Sequence, residues 1–320
     1  MLDRQADRRP AGEALVYTDR PLRYSYQRFR EGIDRVARGL LRIGLGPADR
    51  VALWSANQPE ACILQFAVAK VGAVLAPFHV ASSGEMEAEL ERRLRRSQAK
   101  AFVFSSPAPG FDGDVPALVQ RLAPELQRCP RGQLHAERLP LLRSIATLGE
   151  ERFPGVYRFK DWIDLAETVP KARLTKLARG VKAEESALLS GCDLLSHREL
   201  VRGARAAAER LSLVETDRIC FAAPLFEPVS GVLAVALAAA SGAALVPVVE
   251  LSAGQALAAV VKEHCTILAA EADLLATALR QRAPEDSGLE SLRAVLVAPG
   301  GPPELPRGIE AGWNVATFPL

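Results

Sequence analysis

The feature that most constrains this sequence is its alternation of short β-rich runs with amphipathic helical runs, sustained along nearly the whole chain. Strands separated by helices pair through crossovers, so the pattern predicts an α/β fold with mainly parallel strands. Ala14–Tyr17 and Leu22–Ser25 read as an opening hairpin turned at Thr18-Asp19-Arg20-Pro21. Tyr26–Ile43 reads as a helix, with Phe29, Ile33, Val36, Leu40 and Ile43 spaced by three and four, stopped by Gly44 and Gly46-Pro47. Val51–Trp54 and Ala73–Phe78 are strand-like around a helical Pro59–Val71. Glu85–Ser97 follows as a helix with acids early and arginines late, a charge order that matches the helix dipole. Ala101–Ser105 is the next strand.

Residues 106–184 are less regular and richer in Pro, Arg and acids, and predict connections, a helix or two and a seam. Alternation then resumes, with strands at 187–190, 218–222, 244–248, 266–269 and 292–298 and helices at 197–211, 229–241, 252–264 and 271–282. This predicts a first α/β lobe over 1–184, its irregular seam at 106–184, and a second lobe over 185–320. The length of 320 residues agrees with about two domains.

Composition narrows the function classes. With 49% hydrophobic residues and a net charge of +2, the chain is neither mainly disordered nor a polycationic nucleic-acid binder. Its five cysteines are scattered and never spaced C-x-x-C, which disfavours a disulfide framework or a closed zinc site. His264 and Cys265 are adjacent, but neighbours point to different sides, so ordinary packing is expected there. The opening residues lack an apolar signal core, and Val229–Ala240 falls short of the roughly 20 residues of a bilayer span. A cytoplasmic protein without a membrane span is the expectation.

Particular residues then point to a family. The opening 77 residues hold Asp49-Arg50-Val51, Asn57, Glu60 and Ala69-Lys70-Val71-Gly72-Ala73. Further on stand CPRGQLHAERLPLLRSI, Leu195-Ser196-His197-Arg198-Glu199-Leu200, Pro224-Leu225-Phe226 and Ala298-Pro299-Gly300-Gly301-Pro302. Together these resemble the N-terminal part of the AMP-forming acyl-CoA synthetases of the adenylate-forming superfamily, in particular the medium-chain fatty-acid branch. The resemblance implies two stacked, doubly wound, mostly parallel sheets, with the family's C-terminal domain absent. It also implies chemistry in which ATP adenylates a carboxylic acid and the acyl group passes to coenzyme A. ATP and Mg are the cofactors so implied.

Checked position by position, the resemblance meets gaps. Family members carry a Ser/Thr/Gly-rich loop with a lysine between the strand matching 185–189 and the helix start at Ser196-His197, where backbone N–H groups and the lysine hold phosphate. Here only Ser190-Gly191-Cys192-Asp193-Leu194 stands between them, about nine residues short of that pattern. Asp193 adds a repelling carboxylate. Ser196 and Glu199 form an S-x-x-E capping box. Pro224-Leu225-Phe226-Glu227 has Glu227 where the family commonly has histidine, and Glu227 lacks a recognisable partner. Ala298-Pro299-Gly300-Gly301 resembles the family's turn against adenine. The chain then gives Asn314–Leu320 without the glutamate that holds magnesium, or the downstream aspartate and lysine.

The resemblance therefore leaves Ser190, Gly191, His197, Gly300 and Gly301 as a vestigial ATP site, with no catalytic residue and no metal ligand assigned. Loop serines at Ser82-Ser83-Gly84 and Ser105-Ser106 have no base fixed by spacing, and His79, His135 and His197 stand isolated. The expected function is that of a fatty acyl-CoA synthetase-like protein impaired in catalysis, a pseudoenzyme. The alternatives are an acid–CoA ligase component active only with a complementing chain, and a lipid-binding or dimerising scaffold. Expected partners are a fatty acid or acyl-CoA and a homo- or hetero-oligomer, with no nucleic acid.

Overall fold

A computed structural model describes residues 1–80, 85–111, 113–225, 227, 230–281, 288–298 and 302–319. From the N-terminus, α1 (Leu2–Arg8) precedes the hairpin β1 (Glu13–Tyr17) and β2 (Leu22–Ser25), and α2 (Tyr26–Arg42) follows at once. Next come β3 (Arg50–Trp54), α3 (Pro59–Lys70), β4 (Val74–Pro77), α4 (Met86–Ser97) and β5 (Ala101–Phe104). The stretch expected to be irregular holds α5 (Val115–Leu122), β6 (Ser144–Thr147), β7 (Tyr157–Arg158), α6 (Phe159–Leu165) and α7 (Lys171–Gly180). Then follow β8 (Ser186–Ser190), β9 (Asp193–Ser196), α8 (His197–Arg210), β10 (Arg218–Ala222), α9 (Ser230–Ser241) and β11 (Ala244–Pro247). The run ends with α10 (Ala253–Glu263), β12 (Ile267–Ala270), α11 (Ala272–Gln281), β13 (Ala294–Val297), α12 (Leu305–Trp313) and β14 (Ala316–Pro319).

Local chemistry explains most boundaries. Asp114 and Ser252 cap α5 and α10 by accepting from Ala117 N (2.9 Å) and Gln255 N (3.3 Å). Pro59 opens α3, a helix buried around most of its circumference and therefore apolar on all sides. Gln98, His264 and Asn314 end α4, α10 and α12 in the left-handed region. Exposed His264 beside fully buried Cys265 matches the expected packing of that pair. Elements that differ from expectation include the short helices α1 and α12 and the strand at residues 193–196, expected as loop and helix start.

The chain divides into two compact units. One gathers Met1–Arg30, Val201–Pro224 and Leu233–Leu320. Its sheet runs β14-β13-β12-β10-β11-β1-β2, parallel throughout except for the β1–β2 hairpin. Val16, Cys220, Val246, Leu268 and Val295 pack from this sheet against Leu257, Val260, Leu275 and Ile309 of its helices. Tyr26 is buried, and its hydroxyl donates to Ala238 O (2.9 Å) and Ala243 O (2.7 Å). Buried Glu263 accepts from Arg23 (2.6 Å) and Arg218 (2.5 Å), and both arginines also reach Glu13.

The other unit comprises Glu31–Leu200 and Leu225–Val232. Its sheet runs β7-β6-β5-β3-β4-β8-β9, parallel except for β8–β9. Trp54, Phe102, Phe104, Leu118 and Ile145 fill its core, with the Phe102 and Phe104 rings 5.7 Å apart. The residues expected to be irregular supply β6 and β7 to this sheet, strands too short to show a period in the sequence. The fold is thus α/β, with two mostly parallel sheets each closed at one edge by an antiparallel pair.

Candidate functional site

The region that matches the family's phosphate loop is the β8–β9 hairpin. Ala187, Leu188 and Leu189 are buried, and Leu188 pairs with Leu75 of β4, so β8 is fixed within the sheet. Ser190 pairs directly with Asp193, which leaves Gly191 and Cys192 as the whole turn. Gly191 has φ +62, the positive value a type II′ turn needs at its first central residue. The expected five-residue loop is therefore a two-residue turn, because Asp193–Ser196 gains ladder hydrogen bonds by pairing back onto β8.

This turn does not fit a triphosphate. Phosphate loops wrap the anion with successive N–H groups and a lysine, whereas a two-residue turn between paired strands leaves two central amides and no cation of its own. Asp193 is exposed beside it. The contact the turn does make is with α4, where Arg96 Nη2 donates to Cys192 Sγ at 2.6 Å. Among the described residues no group of three or more His, Cys, Asp or Glu side chains is placed to hold a metal ion.

Ser196 and Glu199 cap α8 reciprocally: Ser196 N donates to Glu199 Oε2 (2.7 Å) and Glu199 N to Ser196 Oγ (3.2 Å). His197 follows, its backbone N–H bonded to Glu185 O (3.0 Å). Burial lowers the His197 pKa, opposed by the charge of Glu185, which disfavours the cationic form of the ring. Its buried Nε2 has no hydrogen-bond partner among the described residues. Ser190, Gly191 and His197 thus lie on one hairpin and the helix it feeds. Gly300 and Gly301 lie outside the described residues, as do Phe226 and Ser82-Ser83-Gly84.

Two relationships in this unit were not legible in the sequence. Buried Asn57 accepts from Leu225 N at 2.8 Å, which ties together two family-like segments 168 residues apart. Glu227 was expected to lack a partner and His79 to be isolated. Instead the charge of Glu227 acts on His79, whose pKa is lowered mainly by burial and also by Arg93. Only the conjunction of Asn57 with Pro224-Leu225 hinted at the first, and no spacing signalled the second.

Comparison with known proteins gives a consistent picture. The family model described as "AMP-binding enzyme" matches residues 2–169. "Putative acyl-CoA synthetase YngI" of Bacillus subtilis (strain 168) is 34% identical over 277 residues, covering 84% of this chain and 50% of its own. "Medium-chain acyl-CoA ligase ACSF2, mitochondrial" of Mus musculus is 26% identical, covering 98% of this chain and 53% of its own. The chain spans about half the length of these curated relatives. The solved structure of the anthranilate CoA ligase AuaEII in complex with anthranoyl-AMP superposes with a TM-score of 0.79 at 20% identity, covering 99% of this chain and 57% of that one. The N-terminal domain of FACL13 from Mycobacterium tuberculosis gives a TM-score of 0.74 at 19% identity, over 99% of this chain and 73% of its own.

Proposed function

We propose, for a chain that belongs to the AMP-binding enzyme family, that its acyl-CoA synthetase-like fold does not activate acids with ATP by itself and acts as a non-catalytic relative that holds an acyl ligand. The Gly191–Cys192 turn carries this reading. Adenylation develops charge on the phosphates while a carboxylate attacks, and each donor lost there costs on the order of a hundredfold in rate. The turn loses several at once and sets Asp193 beside the position. ATP and Mg remain the ligands the family implies, and fatty acid or acyl-CoA the acyl ligands its relatives' names suggest.

The test is ATP–pyrophosphate exchange with a medium-chain fatty acid, magnesium and this chain alone. Exchange at the level of a protein-free blank is the expected result; clear turnover overturns the reading. A thermal-shift series then separates ligands, since anything that binds the native state raises the melting temperature. Stabilisation by fatty acid or acyl-CoA without stabilisation by ATP–magnesium is expected. The match over residues 2–169 favours a second reading, in which the chain is one component of an acid–CoA ligase completed by another chain. Exchange that appears only when a co-purifying chain is added back would select it.

A further inference from the structure

Helix α7 differs from the other helices in its charge. Lys171, Arg173, Lys176 and Arg179 lie on it and Lys182 just beyond, all five exposed, with no acidic residue anywhere from 171 to 183. None of the five side chains has an ion-pair or hydrogen-bond partner among the described residues. On α4, by contrast, Arg92, Arg93 and Arg95 pair with Glu89 and Glu91 of the same helix. Leu174 is the one buried residue of α7, so the helix is held by a single apolar stripe and turns its cations to solvent.

Beside this face lies an open groove of about 620 Å³. Leu41, Leu45, Pro47, Leu177 and Val181 line it, together with the cations Arg173 and Lys176. Two acids also border it. Asp49 is neutralised by Lys100 at 2.9 Å and accepts from Gly46 N, while Glu185 sits at the β8 end. The groove is thus apolar within and basic along the helix side.

We infer that α7 and this groove form a docking surface for an anionic lipid bilayer. Charge complementarity selects this occupant. Cations spread along a helix of about 15 Å, with no acid interspersed, suit a plane of negative headgroups rather than one carboxylate. Their long stems let the charged ends reach headgroups while exposed Pro47 and half-buried Leu177 and Val181 meet acyl chain. An acidic protein partner would find no fixed hydrogen-bonding pattern there, because no second side chain orients any of the five. The inference is independent of whether the chain turns over ATP.

Vesicle co-sedimentation tests it, using vesicles of phosphatidylcholine alone and of phosphatidylcholine mixed with phosphatidylglycerol. The chain is expected to pellet with the mixed vesicles only, and to be released as salt shortens the Debye length. Each cation is worth about fivefold in partitioning, so the double variant Arg173→Gln/Lys176→Gln should bind about 25-fold more weakly. Arg202→Gln/Arg205→Gln on α8 removes the same net charge at two exposed residues that do not line the groove, and should bind as the parent does. Leu177→Gln should weaken binding with no change in charge. Circular dichroism melting checks that each variant is folded, and the charge variants alter only exposed side chains. No binding to mixed vesicles, equal binding to both vesicle types, or equal loss in the α7 and α8 variants would each overturn the inference. So would a thermal shift by a monomeric single-chain phosphate amphiphile in a chain that ignores vesicles, which would make the groove a soluble-ligand site.

Discussion

At Gly39, α2 passes so close to Trp162 that a single added methyl group would overlap the Trp162 carbonyl. Backbone cannot retreat as a flexible side chain can, so Gly39→Ala should destabilise the chain by about 1–3 kcal/mol, read as a lower melting temperature. Glu263 is the second single-residue dependency. Its side chain is 4% exposed and binds both Arg23 and Arg218. Glu263→Gln removes one of the two carboxylates shared by Arg23 and Arg218, which both keep Glu13, and should cost about 1–2 kcal/mol in denaturant unfolding. Asp217 contributes to the acid limit. Burial pushes its carboxyl up, but hydrogen bonds from Arg293, Thr266 and Val214 N outweigh this and hold it below the usual carboxylate range. The stabilisation from a lowered carboxyl is present above the unfolded pKa of about 3.9 and is lost as pH falls through the folded value. Asp217→Asn should therefore lower stability at neutral pH and flatten its decline below about pH 4, measured by melting across a pH series.

Among the elements, the β8–β9 hairpin is where a local rule matters most. Gly191→Ala places a β-carbon at φ +62 with no neighbouring atom within 4 Å, so any cost comes from backbone strain alone. A loss of about 1–2 kcal/mol is expected, with no change in the absence of exchange activity. The same hairpin marks how far the sequence could be read. The strands and helices with long apolar periods, such as α2 and β10, stood where expected because burial of one face imposes the period. β9 did not, because Asp193-Leu194-Leu195-Ser196 is exposed or half-buried at a sheet edge and has no inward pattern to display. α12 has one buried residue per turn (Leu305, Ile309 and Trp313) between prolines and glycines that read as loop. Of the candidate site, the shortness of the phosphate segment was plain in the sequence, since spacing is a linear property. The Asn57–Leu225 bond and the action of Glu227 on His79 were not, since both depend on chain segments brought together only by the sheet.

Over the whole molecule, one unit is interrupted in sequence by the other: residues 1–30 pack with strands that come after residue 200, while Glu31–Leu200 forms most of a unit in between. Pulse-labelling hydrogen exchange during refolding should accordingly protect the β3, β4 and β5 amides before those that β1 and β11 turn to each other, because Leu15 must find Leu245 across a far longer loop. Simultaneous protection of all five strands would contradict this order. Tyr26 adds a clock to the same arrangement. Its hydroxyl is satisfied by Ala243, 217 residues further along, so on a ribosome making roughly 5–20 residues per second it waits about 10–40 s for its acceptor. Throughout that interval Ala14-Leu15-Val16-Tyr17 has β2 along one edge and nothing yet along the other, an open apolar strand that a neighbouring nascent chain could pair with.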